Sequence, residues 1–281
     1  MKITIIKTGM GCSLQHFGCW GEQEYGVPVG GVMDPLAAAM ANIICGNKED
    51  APLIEMTLHG AEILFNTNAI VSITGGGSVV LINDVEIPFN KLIHVPAFAV
   101  LKTKPSRLGC RSYLAIANSI ESNQTDLVFS SWQIHYPEAA STEKIVDCIE
   151  GPEWDWFDKA SQKIFLESVF TLSTQSNRMG YRLEGNVLNT KEKKELISTA
   201  VTKGIIQVTH EGNPILLMAD AQTTGGYPRI ARVASADLSI LAQSRPGDKI
   251  FFKKIDEEDA MKKITSQENW LKKIKTSVSM L

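Results

Sequence analysis

The feature that most constrains the fold is a succession of short apolar runs, rich in β-branched residues, that extends through most of the chain. Gly, Asn or Pro separates successive runs, which is typical of β-strands and turns. Such short strands, with few helices between them, favour closed or partly closed antiparallel barrels over a doubly wound sheet. We predict strands at residues 2–7, 61–65, 69–74, 79–82, 91–95, 98–102, 111–117, 169–172, 181–183, 205–208, 214–218, 230–235 and 249–253.

Three segments have helical signals. The clearest helix begins after Asp34, a good N-cap, with Pro35 in its first turn and Gly46 as its C-terminal stop. A second helix is predicted at residues 154–166. A third, at 257–275, has apolar residues on one side and lysines on the other, which predicts a terminal helix docked on its own domain, with a partner-binding helix as the alternative.

The 281 residues suffice for two domains. A polar, weakly patterned stretch at 121–145 predicts a connection between an N-terminal barrel at 1–120 and a C-terminal barrel at 146–256. The predicted helical region, 257–281, then follows as a separate C-terminal element.

Charge and cysteine content exclude several classes of protein. The net charge of -3 gives no electrostatic footprint for nucleic acid or an anionic membrane. The apolar run at 3–6 is too short for a signal-peptide core and far short of the ~20 residues of a membrane span. Five cysteines without a CxxC spacing indicate free thiols in a reducing compartment, so we expect a cytoplasmic protein without a metal site of its own.

Chemistry is expected in four segments dense in glycine and polar residues, at 15–21, 26–34, 176–185 and 220–228. In the last segment, Gln222, Thr223 and Thr224 offer an amide and two hydroxyls, suited to an amide or carboxylate substrate. Gly225 and Gly226 then let the backbone approach a ligand closely. The alternative is a glycine-containing turn whose threonine hydroxyls bind their own backbone.

Two charged residues of these segments also have two interpretations each. Arg178 has the fork geometry that binds a substrate carboxylate, or it forms a structural salt bridge with Glu184. Asp34 is a candidate general base, although helix capping explains its presence fully.

Four sequence blocks occur in order along the chain: GVPVGGVMDPLAAAMAN (26–42), RMGYRLEG (178–185), ADAQTTGGYP (219–228) and LAQSRPGD (241–248). Together they resemble the family called allophanate hydrolase subunit 2, KipA or the 5-oxoprolinase C subunit, which is related to the carboxyltransferase part of urea carboxylase. The resemblance implies a mainly β fold of two cyclophilin-like barrels with a few short helices. It also implies ATP-dependent opening of the 5-oxoproline lactam to glutamate, together with a KipI-like B subunit and an A subunit of 5-oxoprolinase.

The resemblance also implies a cleft lined by residues from both barrels. Asp34, Gln222 and Thr223 are the expected catalytic residues. The expected substrate-binding residues are Gln15, Asn177, Arg178, Tyr181, Arg182, Thr224 and Tyr227. The chain departs from the family at three positions, because His16, Cys19 and Asn177 stand where the family commonly has Asp, Arg and Asp.

Two further functions agree with the same resemblance. One is carboxyl transfer to a urea-like amide, with a separate biotin-dependent carboxylase. The other is a non-catalytic antagonist that binds a KipI-like kinase inhibitor. Nothing in the chain resembles a complete nucleotide site, so the ATP site is expected to be shared with partner subunits. The triplet Ala260-Met261-Lys262 lies on a charged helical stretch, not at a hairpin, so no covalent biotin is expected.

Overall fold

The fold is described from a computed structural model of the chain, which describes residues 2–106, 109–118, 122–135, 142–192 and 194–280. The chain divides into two compact units. The first comprises the described residues of Met1–Phe17, Asp34–Ala140 and Glu268–Leu281, and the second those of Gly18–Met33 and Ser141–Gln267. This division differs from the predicted domains in two segments. Residues 18–33 belong to the second unit instead of the first, and residues 268–281 belong to the first unit.

In the first unit, the described residues form two antiparallel sheets and one helix that lies wholly within the unit. The sheet orders are β1-β4-β9-β6-β7 and β11-β8-β5-β10-β3-β2. Phe65, Ile73 and Leu101 are fully buried in the apolar core formed by these strands. The elements are β1 (Ile3–Thr8), β2 (Cys12–Gln15), α1 (Pro35–Ile44), β3 (Leu53–Thr57), β4 (Ala61–Phe65), β5 (Ala69–Gly75), β6 (Ser78–Ile82), β7 (Val85–Glu86), β8 (Leu92–Val95), β9 (Val100–Pro105), β10 (Arg111–Ile116) and β11 (Val128–Phe129).

Helix α1 begins and ends as its sequence predicts. The Asp34 carboxylate accepts a hydrogen bond from the Ala37 N–H at 3.0 Å, Pro35 occupies the first helical position, and Gly46 adopts a positive φ after the last turn. The helix is buried on nearly all sides, which its alanine-rich sequence allows. It packs on β5 and β10, where the Thr74 hydroxyl donates to the Ala37 carbonyl at 2.6 Å.

The second unit is a closed seven-stranded barrel in the order β12-β19-β16-β17-β14-β13-β20. Its neighbouring strands are antiparallel except β12 and β20, which are parallel. Phe165 stacks on Phe252 at 4.8 Å between ring centroids inside the core. The elements are β12 (Glu143–Glu150), α2 (Lys159–Glu167), β13 (Phe170–Leu172), β14 (Gly180–Glu184), β15 (Thr199–Ala200), β16 (Ile205–Val208), β17 (Pro214–Leu217), β18 (Thr224–Gly225), β19 (Arg229–Val233), α3 (Leu238–Ala242), β20 (Lys249–Lys254) and α4 (Glu257–Val278).

Helix α4 is held at both ends. Within the second unit, Lys263 bonds the carboxylates of Asp147 at 2.7 Å and Asp237 at 2.6 Å. Within the first unit, Ile274 and its neighbours on the last turns pack against Met40 of α1. The predicted helix at 257–275 is therefore confirmed with three more residues at its C-terminal end, and its end docks within the chain.

The predicted fold class is confirmed, because the structure is mainly β with few helices and contains a closed barrel. In the first unit the described strands form two sheets around one core and not a closed barrel. The predicted helix at 154–166 begins late, since a 3₁₀ turn at Trp154–Trp156 precedes α2. The stretch at 121–145, predicted as a connection, contains β11 and the start of β12. Among the described residues, every helix is too short or too polar to cross a membrane.

A buried ion pair connects the barrel to the short sheet of β15 and β18. The guanidinium of Arg229 forks onto the Glu153 carboxylate, with Nε–Oε2 and Nη2–Oε1 distances of 2.7 Å, and Nη1 donates to the Ala200 carbonyl of β15 at 3.3 Å. Burial alone would raise the pKa of Glu153, but the hydrogen bonds and charge of Arg229 outweigh it, so the pKa lies below its usual value. The pair fixes β15 beside β19.

We expect Glu153→Gln to lower the free energy of unfolding at pH 7 by about 3 kcal/mol, because it leaves the Arg229 charge without a carboxylate in a site where the two side chains are only 16% and 7% exposed. A carboxyl whose pKa is lowered on folding stabilises the protein above its unfolded pKa, and this contribution disappears as the pH falls through the folded value. The difference between wild type and variant should therefore be full above pH ~5 and shrink below the ordinary pKa of 4.5.

Chemical denaturation of the full chain at several pH values measures this difference. Glu143→Gln is the matched control, because the Glu143–Lys249 pair is exposed and should contribute less than about 1 kcal/mol. Equal losses in the two variants, or a difference independent of pH, would contradict the assignment.

Candidate functional site

The glycine-containing segment that ends at Met33 is held by an arginine–aspartate pair. Arg178 donates from Nε to Asp220 Oδ2 at 2.7 Å and from Nη2 to Asp220 Oδ1 at 2.9 Å, the bidentate geometry that orients a guanidinium most firmly. The same Nη2 donates to the Gly31 carbonyl at 2.6 Å. Gly30 and Gly31 have φ values of 64° and 87°, a conformation that favours glycine.

Strand pairing explains why these two side chains meet. β14 pairs with β17 with Gly180 opposite Leu217, and the ladder continues beyond both strands. The Met218 N–H donates to the Met179 carbonyl, and the Asp220 N–H donates to the Arg178 carbonyl at 2.9 Å. The strand register alone would set Arg178 opposite Ala219, and the bond from the Asp220 N–H shifts the pairing by one residue, so that Arg178 and Asp220 become neighbours.

A second cation holds the following two carbonyls of the same segment. Lys203 Nζ donates to the Val32 carbonyl at 3.2 Å and to the Met33 carbonyl at 2.8 Å. The Met33 side chain is fully buried in the barrel core. Three successive carbonyls, from residue 31 to residue 33, thus accept hydrogen bonds from cationic side chains of the second unit.

The polar segment at 219–228 contains β18, which pairs with β15 in a small two-stranded sheet. Thr224 pairs with Ala200, and the Thr223 carbonyl accepts a hydrogen bond from the Val201 N–H at 2.9 Å. The side chains of Gln222 and Thr224 are exposed, and that of Thr223 is half-buried. Tyr227 meets the His210 ring edge to face, with the ring centroids 5.3 Å apart.

The paired glycines of this segment allow close packing within the protein. A Cβ on Gly225 would lie 2.6 Å from Nε2 of Gln207, and one on Gly226 would lie 3.2 Å from the Leu196 carbonyl oxygen. Gln207 is itself buried and donates from Nε2 to the Tyr227 carbonyl at 3.0 Å. The backbone at Gly225 and Gly226 therefore approaches other groups closely, as expected. Among the described residues, these groups belong to Gln207 and Leu196.

The remaining predicted residues of the second unit differ in exposure. Asn177 Oδ1 accepts from the N–H groups of Met179 at 2.8 Å and Gly180 at 3.3 Å, which closes the turn before β14. Arg182 is exposed on β14. Tyr181 is 2% exposed and packs in the barrel core, a placement that does not favour direct contact with a substrate, and its binding role stays a prediction.

The first unit contains the other two predicted site residues. Gln15 lies on β2 and donates to the Ser13 hydroxyl at 3.0 Å. Asp34 is fully buried at the start of α1, where its N–H donates to the Tyr113 hydroxyl at 2.8 Å, and that hydroxyl donates to Glu55 at 2.9 Å. Burial, followed by the charges of Glu55 and Asp34, raises the pKa of Tyr113 well above its usual value, so its hydroxyl stays protonated.

The structure therefore brings part of the predicted set together. Arg178 and the 219–228 segment meet within the second unit, whereas Asp34 and Gln15 belong to the first. The predicted joint cleft stays a prediction. The alternative pairing of Arg178 with Glu184 is wrong, because the ladder that continues beyond β14 and β17 brings Arg178 to a partner 42 residues away, Asp220.

Sequence reasoning missed several residues that shape this region. Asp220 lies inside the sequence block 219–228, so that block could have identified it as a candidate residue. Lys203 and His210 lie in segments without any recognisable motif, and only the folded arrangement identifies them. Among the described residues, no group of three or more His, Cys, Asp or Glu side chains is arranged to hold a metal ion.

The chain is similar to known proteins over nearly its whole length. The family model for the carboxyltransferase domain, subdomain A and B, matches residues 25–133 and 124–254. The 5-oxoprolinase C subunit of Escherichia coli is 34% identical over 97% of this chain and 97% of its own length. The corresponding protein of Haemophilus influenzae is 31% identical over 98% of each chain.

Among solved structures, the urea amidolyase of K. lactis superposes with a TM-score of 0.84 at 24% identity, covering 97% of this chain and 20% of that protein. This likeness shows a shared fold. The two bacterial proteins and the family model show more: this chain belongs to the carboxyltransferase-domain family that includes the C subunits of 5-oxoprolinase.

Proposed function

We propose that this chain is a subunit of an ATP-dependent 5-oxoprolinase and acts together with a KipI-like B subunit and an A subunit. The observation that carries the proposal is the 34% identity to the Escherichia coli 5-oxoprolinase C subunit over nearly the full length of both chains. Because the match extends over nearly the whole chain, it includes all four polar segments.

The chemistry explains why such an enzyme consumes ATP. A lactam amide is a poor electrophile, so its oxygen is first phosphorylated by ATP, with ADP as the leaving group. Water then adds to the activated carbon, the C–N bond breaks, and a second water releases phosphate and leaves glutamate. The protein must hold the lactam, keep the amide oriented and stabilise the charge that develops on oxygen.

We assign a role to each of these residues as part of the proposal. Arg182 is exposed on β14 and is suited to the substrate carboxylate, whereas Arg178 is already paired with Asp220. Gln222 and Thr223 orient the amide, and Thr224 and Tyr227 are further substrate-binding residues. Asn177 shapes the turn before β14, Gln15 is another substrate-binding residue, and Asp34 is a basic or electrostatic group.

A second candidate is carboxyl transfer to a urea-like amide, supported by the fold shared with urea amidolyase. It requires a biotin-dependent carboxylase as partner. Both candidates are tested by co-expressing the chain with the A and B subunits and measuring glutamate release from 5-oxoproline. Release that depends on ATP supports the first. Capture of a biotinylated carboxylase without glutamate release supports the second, and partner binding without either supports a non-catalytic antagonist of a KipI-like protein.

Gln222→Ala tests the amide-binding role. Loss of a hydrogen bond worth about 1–2 kcal/mol at the reacting amide should lower kcat/KM roughly tenfold in the assembled complex. Because Gln222 is exposed, assembly measured by size-exclusion chromatography should not change. The matched control is Gln175→Ala, which removes an exposed glutamine from the turn before β14. Unchanged turnover in Gln222→Ala would remove this side chain from the site.

Asp34 is tested by a pair of substitutions. Asn is as good an N-cap as Asp, so Asp34→Asn should keep α1 capped and yet abolish a basic or anionic role. Asp34→Ala should also lose the cap, at about 1 kcal/mol or more of stability. We expect turnover to fall at least tenfold in both variants and the melting temperature to fall mainly in the second. Full turnover in a stably folded Asp34→Asn would leave capping as its whole role.

A further inference from the structure

The first unit buries two acids, a tyrosine and an arginine around the start of α1. Asp34 and Tyr113 are fully buried, and Glu55 and Arg111 are nearly so. Burying polar and charged groups costs free energy unless each of them makes well-placed contacts. The roles proposed above use Asp34 alone, so they do not explain why the other three side chains stand here.

Strand pairing brings these side chains together. Tyr113 of β10 lies directly opposite Glu55 of β3 on one side and Thr74 of β5 on the other. Directly opposite residues of antiparallel strands share a face of the sheet, so these three side chains form one row. Helix α1 lies on this face, where the Thr74 hydroxyl reaches the Ala37 carbonyl and the Tyr113 hydroxyl reaches the Asp34 N–H.

The Tyr113 hydroxyl makes two hydrogen bonds of opposite sense. It donates to Glu55 Oε2 at 2.9 Å and accepts from the Asp34 N–H at 2.8 Å. A phenol has one proton to donate, so the bond to Glu55 directs that proton away from Asp34 and leaves an oxygen lone pair for the Asp34 N–H. Arg111 Nε lies 3.8 Å from the other oxygen of Glu55, which keeps a positive charge beside this carboxylate. The four residues thus form a chain of contacts that ends at the main chain of Asp34.

Such a chain of contacts is better suited to fixing a position than to adding stability. Buried ion pairs often contribute no more stability than apolar side chains of the same volume, because both charges lose their water. Functional groups, in contrast, have to stay within about 0.5 Å of their working position, which supporting hydrogen bonds can ensure. The Asp34 carboxylate is already bonded to the Ala37 N–H, and the bond to Tyr113 adds a second fixed point on the same residue.

We infer that Tyr113 is a positioning residue for Asp34, and that Glu55 orients the Tyr113 hydroxyl for this role. Tyr113 holds the main chain of Asp34 and thereby sets where the carboxylate lies at the start of α1. An electrostatic group acts from its position, because the energy between charges depends on their distance. The inference rests on the proposed function for the part that Asp34 takes in the reaction. It gives a role to Tyr113 and Glu55, which lie outside the four sequence blocks.

Kinetics of the assembled complex test the inference with matched variants. Tyr113→Phe keeps the ring and removes the hydroxyl, while Thr74→Val removes the neighbouring hydroxyl that bonds the same helix at Ala37. Both variants should lower the melting temperature. Only Tyr113→Phe should lower kcat for 5-oxoproline, by about fivefold and without a change in KM, because it alone releases Asp34. Glu55→Gln should keep kcat within about twofold of the wild-type value, since its amide oxygen still accepts from the Tyr113 hydroxyl.

Three kinetic results would overturn the inference. The first is a wild-type kcat in Tyr113→Phe. The second is an equal fall of kcat in Thr74→Val, which would show that the row of side chains serves only the stability of α1. The third is a fall in Glu55→Gln as large as that in Tyr113→Phe, which would assign the effect to the charge of Glu55 and not to its hydrogen bond.

Hydrogen exchange at the Asp34 N–H tests the same contact without turnover. In NMR spectra of the full chain labelled with ¹⁵N-aspartate, this signal is assigned by its loss in Asp34→Asn. We expect Tyr113→Phe to speed exchange at this N–H about tenfold and Thr74→Val to change it less, because only the first variant removes the acceptor. Exchange at the wild-type rate in Tyr113→Phe would contradict the contact.

The two measurements separate this inference from the proposed function. If the wild-type complex releases no glutamate from 5-oxoproline, the proposed function is wrong. Faster exchange at Asp34 in Tyr113→Phe alone then still supports the positioning contact, and wild-type exchange overturns it. If the wild-type complex is active, and Tyr113→Phe exchanges faster but keeps the wild-type kcat, the function stands and the positioning role is wrong.

Discussion

Two cations of the second unit, Arg178 and Lys203, hold the glycine-containing segment that leads to α1. Together they donate hydrogen bonds to three successive backbone carbonyls, those of residues 31 to 33. Asp220 also bonds the Arg178 guanidinium and so fixes its orientation toward the first of these carbonyls. The burial of Met33 and the local bond from the Cys19 N–H to the Val29 carbonyl add to these contacts. The conformation of the polar segment at 26–34 thus depends on residues more than 140 positions away in sequence.

Local signals in the sequence were sufficient for most of the secondary structure. Asp34, Pro35 and Gly46 delimit α1 by short-range capping and backbone preference alone, so their effect is readable without the fold. Most strands were also predicted from local signals, namely apolar runs rich in β-branched residues and separated by Gly, Asn or Pro. Strand β12 was not predicted. One reason is that Lys144 and Asp147 interrupt its apolar alternation, although the long Lys144 side chain is buried.

The site was less predictable because its contacts are long-range. The nearest acid to Arg178 in sequence is Glu184, yet the ladder that continues beyond β14 and β17 brings Arg178 to Asp220. Similarly, the glycines at 225 and 226 indicated that the backbone approaches another group closely, but they did not indicate which group. For Gly225 that group is the Gln207 side chain, whose position is set by β16. Lys203 and His210 carry no local signal at all. Their partners, the Val32 and Met33 carbonyls and the Tyr227 ring, come from the fold and not from neighbouring sequence.

Hydrogen–deuterium exchange across residues 18–33 measures most directly whether the two cations hold this segment. Arg178→Lys keeps the charge but loses the fork, and Lys203→Met keeps the alkyl length but loses the charge. Faster exchange in this segment in both variants, with unchanged exchange in the barrel strands, is the predicted result. Exchange in residues 18–33 that equals that of the wild-type protein in both variants would show that the segment keeps its path without the cations.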